Sequence, residues 1–212
     1  STSRYKYIHI FIVDNFAYII QCEETNDCMI VDPAWDSEKY TRTIEKYNLN
    51  LSGILVTHGH HDHTNALEPI LNYKNCPVYC STGQIKFDYP SSSTIIQVNA
   101  TDTIKLGNQT INVLSTPGHS SDHIAYYSRP HLISGDALFI DGCGQCDLPS
   151  SNINAMYNTL FNVLLRLPES TIIYPGHNYS TKKTDTLKNQ KTTNRFLTSK
   201  NEKEFIRKRN GF

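Results

Sequence analysis

Seven side chains of this sequence have the types and spacings of a two-metal hydrolytic site. Thr57-His58-Gly59-His60-His61-Asp62-His63 carries an HxHxDH pattern. Thr116-Pro117-Gly118-His119, Ser134-Gly135-Asp136-Ala137 and Tyr174-Pro175-Gly176-His177 add two histidines and an aspartate. Imidazole and carboxylate are ligands that borderline ions such as zinc accept. Seven ligands are too many for one tetrahedral ion and enough for two ions that share a carboxylate and a water. His58 and His60 are two apart and can chelate one ion from an extended segment; Asp62 and His63 follow the bend and can face a second. Two ions about 3.5–4 Å apart can hold a water between them and lower its pKa toward neutrality. The resulting hydroxide attacks a polarised carbonyl, and the ions stabilise the charge that develops. A thioester suits this chemistry, because a thiol with a pKa of about 8.5 leaves with little proton help. Asp62 can bind metal and also orient the nucleophile or accept its proton. The sequence has no Gly-x-Ser-x-Gly elbow for a serine hydrolase.

These residues need elements that deliver them to one place. Ser52 to Thr57 is an apolar run of buried-strand type, and Ala66, Leu67, Ile70 and Leu71 recur at helical spacing. The HxHxDH pattern therefore falls on a strand-to-helix loop, where Gly59 allows a tight bend. Strands are expected over 5–13, 16–21, 28–32, 52–57, 77–80, 94–98, 110–115, 123–128, 131–134 and 171–174. Helices are expected over 37–47, 64–73, 81–87, 153–166, 184–192 and 201–209. Many strands with few helices between them point to an α/β protein with two sheets rather than a doubly wound one. No repeat or linker divides the chain, so a single domain over 1–212 is expected, with a basic helical tail from about residue 178.

The 212 residues carry no formal net charge, but the charge is uneven. Residues 1–177 hold 10 Lys/Arg against 17 Asp/Glu, and residues 178–212 hold 10 against 3. The body is thus formally −7 and the tail +7. An acidic body repels phosphate backbones and argues against nucleic-acid binding. No apolar run approaches the roughly 20 residues of a membrane span. Ser1 to Asp14 reads as a strand, not as a signal peptide. Six cysteines without a secretion signal are expected to be reduced thiols in a cytoplasmic protein. Cys143-Gly144-Gln145-Cys146 stands alone as a C-x-x-C pair and reads as a structural or substrate-loop element. His61 is expected to point away from the ions. His123 is expected to support the site without ligating, and His9 and His131 to be ordinary strand and turn residues. Asp32, at an Asp-Pro turn after a strand, has two readings: it hydrogen-bonds a ligand histidine and fixes its tautomer, or it serves the turn alone.

With Asn15-Phe16-Ala17-Tyr18, Val31-Asp32-Pro33-Ala34 and Pro175-Gly176-His177-Asn178-Tyr179 added, the chain resembles the metallo-β-lactamase superfamily, and within it the glyoxalase II-like hydrolases. The resemblance implies a four-layer αββα sandwich with the metals at one edge of the sheets. It implies that His58, His60 and His119 bind a first metal, that Asp62, His63 and His177 bind a second, and that Asp136 bridges them. Aspartate at the bridging position, where β-lactamases commonly carry cysteine, points to the hydrolase branches. The implied cofactors are two Zn2+, with Fe or Mn as alternatives. Tyr179 matches a substrate-contacting tyrosine of glyoxalase II.

Departures from that pattern bear on the substrate. Ala137 to Asp147 resembles the glycine-cysteine-glycine loop of persulfide dioxygenases, which usually carry arginine where this chain has Gln145. Glyoxalase II has lysine near there for a glutathione carboxylate. Gln145 cannot form that ion pair. The Asn15–Tyr18 start, the Asp32-Pro33-Ala34-Trp35 turn and the short basic tail are similar to stand-alone acyl hydrolases of bacterial polyketide pathways. That similarity implies an acyl thioester on a small thiol or on an acidic acyl carrier protein, drawn in by a basic tail whose Lys182, Lys183, Lys188, Arg195, Arg207 and Arg209 lie partly on the active-site side; the alternative is a solvated terminal helix whose charges face water and the acidic body. Three readings follow: a dinuclear zinc thioesterase, with a carrier-bound or a glutathione substrate; a mononuclear iron enzyme of persulfide dioxygenase type; and a nucleic-acid-processing hydrolase.

Overall fold

The computed structural model describes residues 4–82 and 94–212. One mixed sheet contains β1 (Tyr5–Ile12), β2 (Asn15–Cys22), β3 (Asp27–Val31), β4 (Asn50–Leu55), β5 (Pro77–Ser81) and β6 (Thr94–Val98), paired in that order. β1 to β3 are antiparallel neighbours, and β3 to β6 run parallel. The second sheet is built from β7 (Thr103–Leu106), β8 (Gln109–Ser115), β9 (Ile124–Ser128), β10 (His131–Gly135), β13 (Ile172–Pro175) and β14 (Asp185–Thr186). Its order is β14-β13-β10-β9-β8-β7. β11 (Leu138–Phe139) and β12 (Gly142–Cys143) form a small hairpin beside it.

Strand alternation assigns side chains to layers. In β2, Phe16, Tyr18 and Ile20 pack between the sheets against Ile111, Val113 and Tyr126. Ala17 and Ile19 face the other way and join Tyr40 and Ile44 of α1 (Ser37–Lys46) and Ile70 and Leu71 of α2 (Leu67–Tyr73). A third core lies outside the second sheet. There Leu132 and Ile173 meet Met156 of α3 (Ile153–Asn158), Leu187 of α4 (Leu187–Thr193) and Phe205 of α5 (Glu202–Arg209). Three apolar cores separate four layers, helix, sheet, sheet and helix, which is the αββα sandwich implied by the resemblance.

Element boundaries moved where local chemistry outweighs periodicity. The helix expected from residue 64 is a single tight turn over His61–His63 followed by α2. The helix expected over 153–166 widens after α3 and tightens again, and it stops at Leu167, which is extended ahead of Pro168. Asp185 and Thr186 pair with β13, so α4 starts at Leu187 with the Thr186 hydroxyl capping Asn189 N–H. β7, β11 and β12 were unforeseen; they are too short to show a period. Of the helix expected over 81–87, Ser81 belongs to β5 and residues 83–87 lie outside the described residues. No helix among the described residues is long and apolar enough to cross a membrane.

Candidate metal centre

Each motif follows the C-terminal end of a strand at one edge of the sandwich. β4 leads into His58, β8 into His119, β10 into Asp136 and β13 into His177. The two sheets are tied together at this edge. Phe16 N–H donates to Gly176 C=O at 2.9 Å, and Asn178 N–H to Asp14 C=O at 2.9 Å. Gly135 has φ +53°, and a Cβ there would lie 2.6 Å from His123 Nε2, so the turn presenting Asp136 requires glycine.

The structure brings all seven expected side chains together. The ligand atoms of His58, His60 and His119 lie within 4.8 Å of one another, as do those of Asp62, His63 and His177. Asp136 Oδ2 sits between the groups: 3.8 Å from His58 Nε2, 3.4 Å from His119 Nε2, 3.3 Å from His63 Nε2 and 3.1 Å from His177 Nε2. His63 Nε2 and His177 Nε2 are 3.3 Å apart. Two nitrogens on a tetrahedral ion at about 2.0–2.1 Å are about 3.3–3.4 Å apart.

The imidazoles are held by their outer nitrogens. His63 Nδ1 faces Asp32 Oδ2 at 3.0 Å, His119 Nδ1 faces Gln145 O at 2.9 Å, and His177 Nδ1 faces Asp14 O at 3.2 Å. These partners are acceptors, so Nδ1 carries a proton and Nε2 is the nitrogen that faces inward. His58 Nδ1 lies 2.9 Å from Thr57 Oγ1, and that hydroxyl donates to Asp32 Oδ2 at 2.6 Å. Asp32 thereby orients one histidine from each group. It also forms a third close set with His58 and His63, but its oxygens are occupied by Thr57 and His63 Nδ1. His123 is buried; its Nε2 accepts the Asp136 N–H at 3.1 Å, and its Nδ1 lies 2.7 Å from Thr116 Oγ1. It positions the Asp136 backbone. His61 is exposed and turned toward Trp35.

Two atoms inside the cluster, His58 Nε2 and Asp136 Oδ1, are buried without a hydrogen-bond partner. A buried group left unpaired costs roughly 1–3 kcal/mol. A cation held by this group satisfies His58 Nε2, so the residues present fit a metal. The electrostatics agree. Burial, with the His63 charge, holds the His58 pKa well below the usual imidazole range, and burial with His119 lowers His60. Burial, with His119 adding to it, brings His123 down to about 3. Burial opposes ionisation of Asp136, yet the His63 charge and the His177 hydrogen bond hold it well below the carboxylate range. Asp62 is lowered against burial by its His177 hydrogen bond and the His63 charge. Burial also opposes the charge on His177, but hydrogen bonds to Asp136 and Asp62 lift its pKa to about 9. The carboxylates draw positive charge, as proton or metal, to this centre.

A cavity of about 470 Å³ opens on the cluster and is lined by His60, Asp62, Asp136, Phe139, Gln145 and Tyr179 among others. The Tyr179 ring lies parallel to His177, 2° between planes and 5.0 Å between centroids, and is 61% exposed. Sequence reasoning missed two supporting contacts. Asn15 Nδ2 donates to Asp62 Oδ2 at 3.2 Å, and Asp122 Oδ2 accepts the Gly59 N–H at 3.0 Å. Nothing in local spacing marks these contacts, because they join distant segments. Of the tail cations Lys182, Lys183, Lys188, Arg195, Arg207 and Arg209, expected partly on the active-site side, Arg209 of α5 lines the cavity and the others do not.

A family model described as the metallo-beta-lactamase superfamily matches residues 12–177. The probable polyketide biosynthesis zinc-dependent hydrolase BaeB of Bacillus velezensis is 29% identical over 196 residues, 92% of this chain and 87% of that protein. A hydroxyacylglutathione hydrolase of Polaromonas is 36% identical over 174 residues, 78% of this chain and 62% of that protein. The chain thus spans less than two thirds of the latter relative. The crystal structure of ETHE1 from Myxococcus xanthus superposes with a TM-score of 0.85 at 28% identity, over 97% of this chain and 90% of that one.

Proposed function

The chain belongs to the metallo-β-lactamase superfamily, and on that premise we propose that it hydrolyses acyl thioesters with two metal ions. The observation that carries this reading is Asp136 Oδ2, placed between two complete ligand groups. His58, His60 and His119 would hold one ion, Asp62, His63 and His177 the other, and Asp136 both. Zinc is the expected metal, with iron or manganese as alternatives; the BaeB relative is described as zinc-dependent. When bound, the ions supply Lewis acidity and lower the pKa of a water toward neutrality.

The chain's own groups do the rest. Asp62 is ionised, faces the cavity and is steered by the Asn15 amide, so it orients the attacking water and takes its proton. Asp32 and the Gln145 carbonyl keep the imidazole Nε2 atoms aimed inward. Phe139, Ile140 and Leu148 give the cavity an apolar wall for the acyl chain. Gln145 and Tyr179 would contact the substrate from the wall and the rim. The thiolate leaves without a dedicated acid. We place the reaction in the cytoplasm.

The thiol carrier we favour is an acidic acyl carrier protein. The support is the polyketide-pathway relative and the +7 tail. Opposite charge mainly raises the encounter rate, and salt screens it over about 8–10 Å. Hydrolysis of an acyl-carrier thioester is expected to fall as salt rises, while a small neutral thioester changes little. Charge reversal at Lys182 and Lys183 is expected to copy the salt effect. Equal salt sensitivity for both substrates would remove the carrier protein from the proposal.

A further inference from the structure

The cavity beside the metal centre contains a cation that no carboxylate of the described residues pairs with. Arg209 lies in the last turn of α5 and lines the cavity. Its guanidinium is 5.1 Å from the Phe196 ring centroid, and Phe196 lines the same wall. Nη1 makes a long 3.4 Å bond to the Cys143 carbonyl. Among the described residues no carboxylate pairs with Arg209, although the neighbouring tail cations Lys182, Lys191 and Lys208 are paired with Asp185, Glu169 and Glu204. Asp141, also on the wall, is occupied by Ser180 Oγ at 2.8 Å and Gln190 Nε2 at 3.2 Å. A second cavity of about 310 Å³, lined by Cys146, Asp147 and Asn210, also meets Arg209, so the guanidinium stands where the two spaces adjoin.

A guanidinium has five donors in a planar fork that matches carboxylate and phosphate oxygens. The Phe196 ring face holds the guanidinium against the wall, and one long bond to a carbonyl leaves most donors free. A half-buried cation held this way in a site wall is placed to receive an anion. The metal ions and the acyl wall account for the other two parts of a thioester, so the anion belongs to the thiol part. We propose that Arg209 is a specificity-determining residue that binds the anionic group of the thiol carrier, a phosphate or a carboxylate. This rests on the thioesterase reading for the identity of the ligand, but its test does not require turnover. It also supplies from α5 the cation that position 145 lacks.

The test is equilibrium binding of free thiols to the zinc-loaded protein: pantetheine, 4′-phosphopantetheine and glutathione, with wild type, Arg209→Gln and Arg209→Lys. Pantetheine and 4′-phosphopantetheine differ only in the phosphate. Wild type is expected to bind one anionic thiol roughly 10- to 100-fold more tightly than pantetheine, the size of a charge-assisted hydrogen bond. Arg209→Gln is expected to erase that preference and leave pantetheine binding unchanged, and Arg209→Lys to restore part of it. Preference for 4′-phosphopantetheine identifies a phosphate site, and preference for glutathione a carboxylate site. No preference for either anion, or an equal loss for neutral pantetheine in Arg209→Gln, would overturn the proposal. If the anion preference depends on Arg209 but no thioester is cleaved, the binding site stands and the hydrolase reading falls.

Discussion

Asp136→Ala is expected to lose both metal ions and to lower thioester turnover on the order of 10³-fold or more. The size follows from the several kcal/mol that metal ions contribute to such a transition state, at 1.36 kcal/mol per factor of ten. The effect should fall on both ions together, because one oxygen of Asp136 contacts histidines of both groups. Elemental analysis after desalting reads the metal content, and Asp136→Asn, which keeps the volume but not the charge, separates electrostatics from packing. Two retained ions with wild-type turnover in the alanine variant would show that Asp136 is no ligand.

Asp32→Asn tests the outer bonds. Asp32 has a φ of 50°, a conformation that asparagine tolerates, so the backbone is expected to persist. Its carboxylate accepts from Thr57 N–H, Thr57 Oγ1 and His63 Nδ1. An amide NH2 in place of Oδ2 confronts two donors with a third. Removing such outer partners weakens metal affinity by about 10- to 100-fold. Both ions are expected to weaken, since Thr57 relays Asp32 to His58 while His63 touches it directly. Competition with a chromophoric chelator measures this. Unchanged affinity for both ions in a folded variant would make Asp32 a turn residue and nothing more.

What the sequence revealed depended on how locally it was encoded. The HxHxDH segment and the three Gly-His and Gly-Asp fragments are compact patterns, each following a strand, so the ligand candidates and the two-sheet architecture could be read directly. An Asp-Pro turn after an apolar strand left two roles open for Asp32, and its contact with His63 Nδ1 favours the tautomer-fixing one. Contacts made at long sequence separation were not legible. Asp122 supports Gly59 across 63 positions, and Arg209 reaches Cys143 across 66. The tail was read as basic, but Leu187, Phe196, Leu197 and Phe205 make it part of the third core. Its helices also fix the cavity wall: buried Asn194 donates to Phe139 O and Gly142 O, and buried Gln190 accepts the Asp141 N–H at 2.7 Å. Net charge hid this role, because the packing residues are scattered between lysines and arginines.

The most direct test of the central claim is a zinc titration of metal-free protein, followed by hydrolysis of one acyl group presented as a carrier-protein, coenzyme A and glutathione thioester. Two ions per chain are expected, with thioesterase activity reaching its maximum only as the second is bound. Full activity at one equivalent, or a single iron per chain with oxygen uptake and no thioester cleavage, would contradict the two-metal thioesterase.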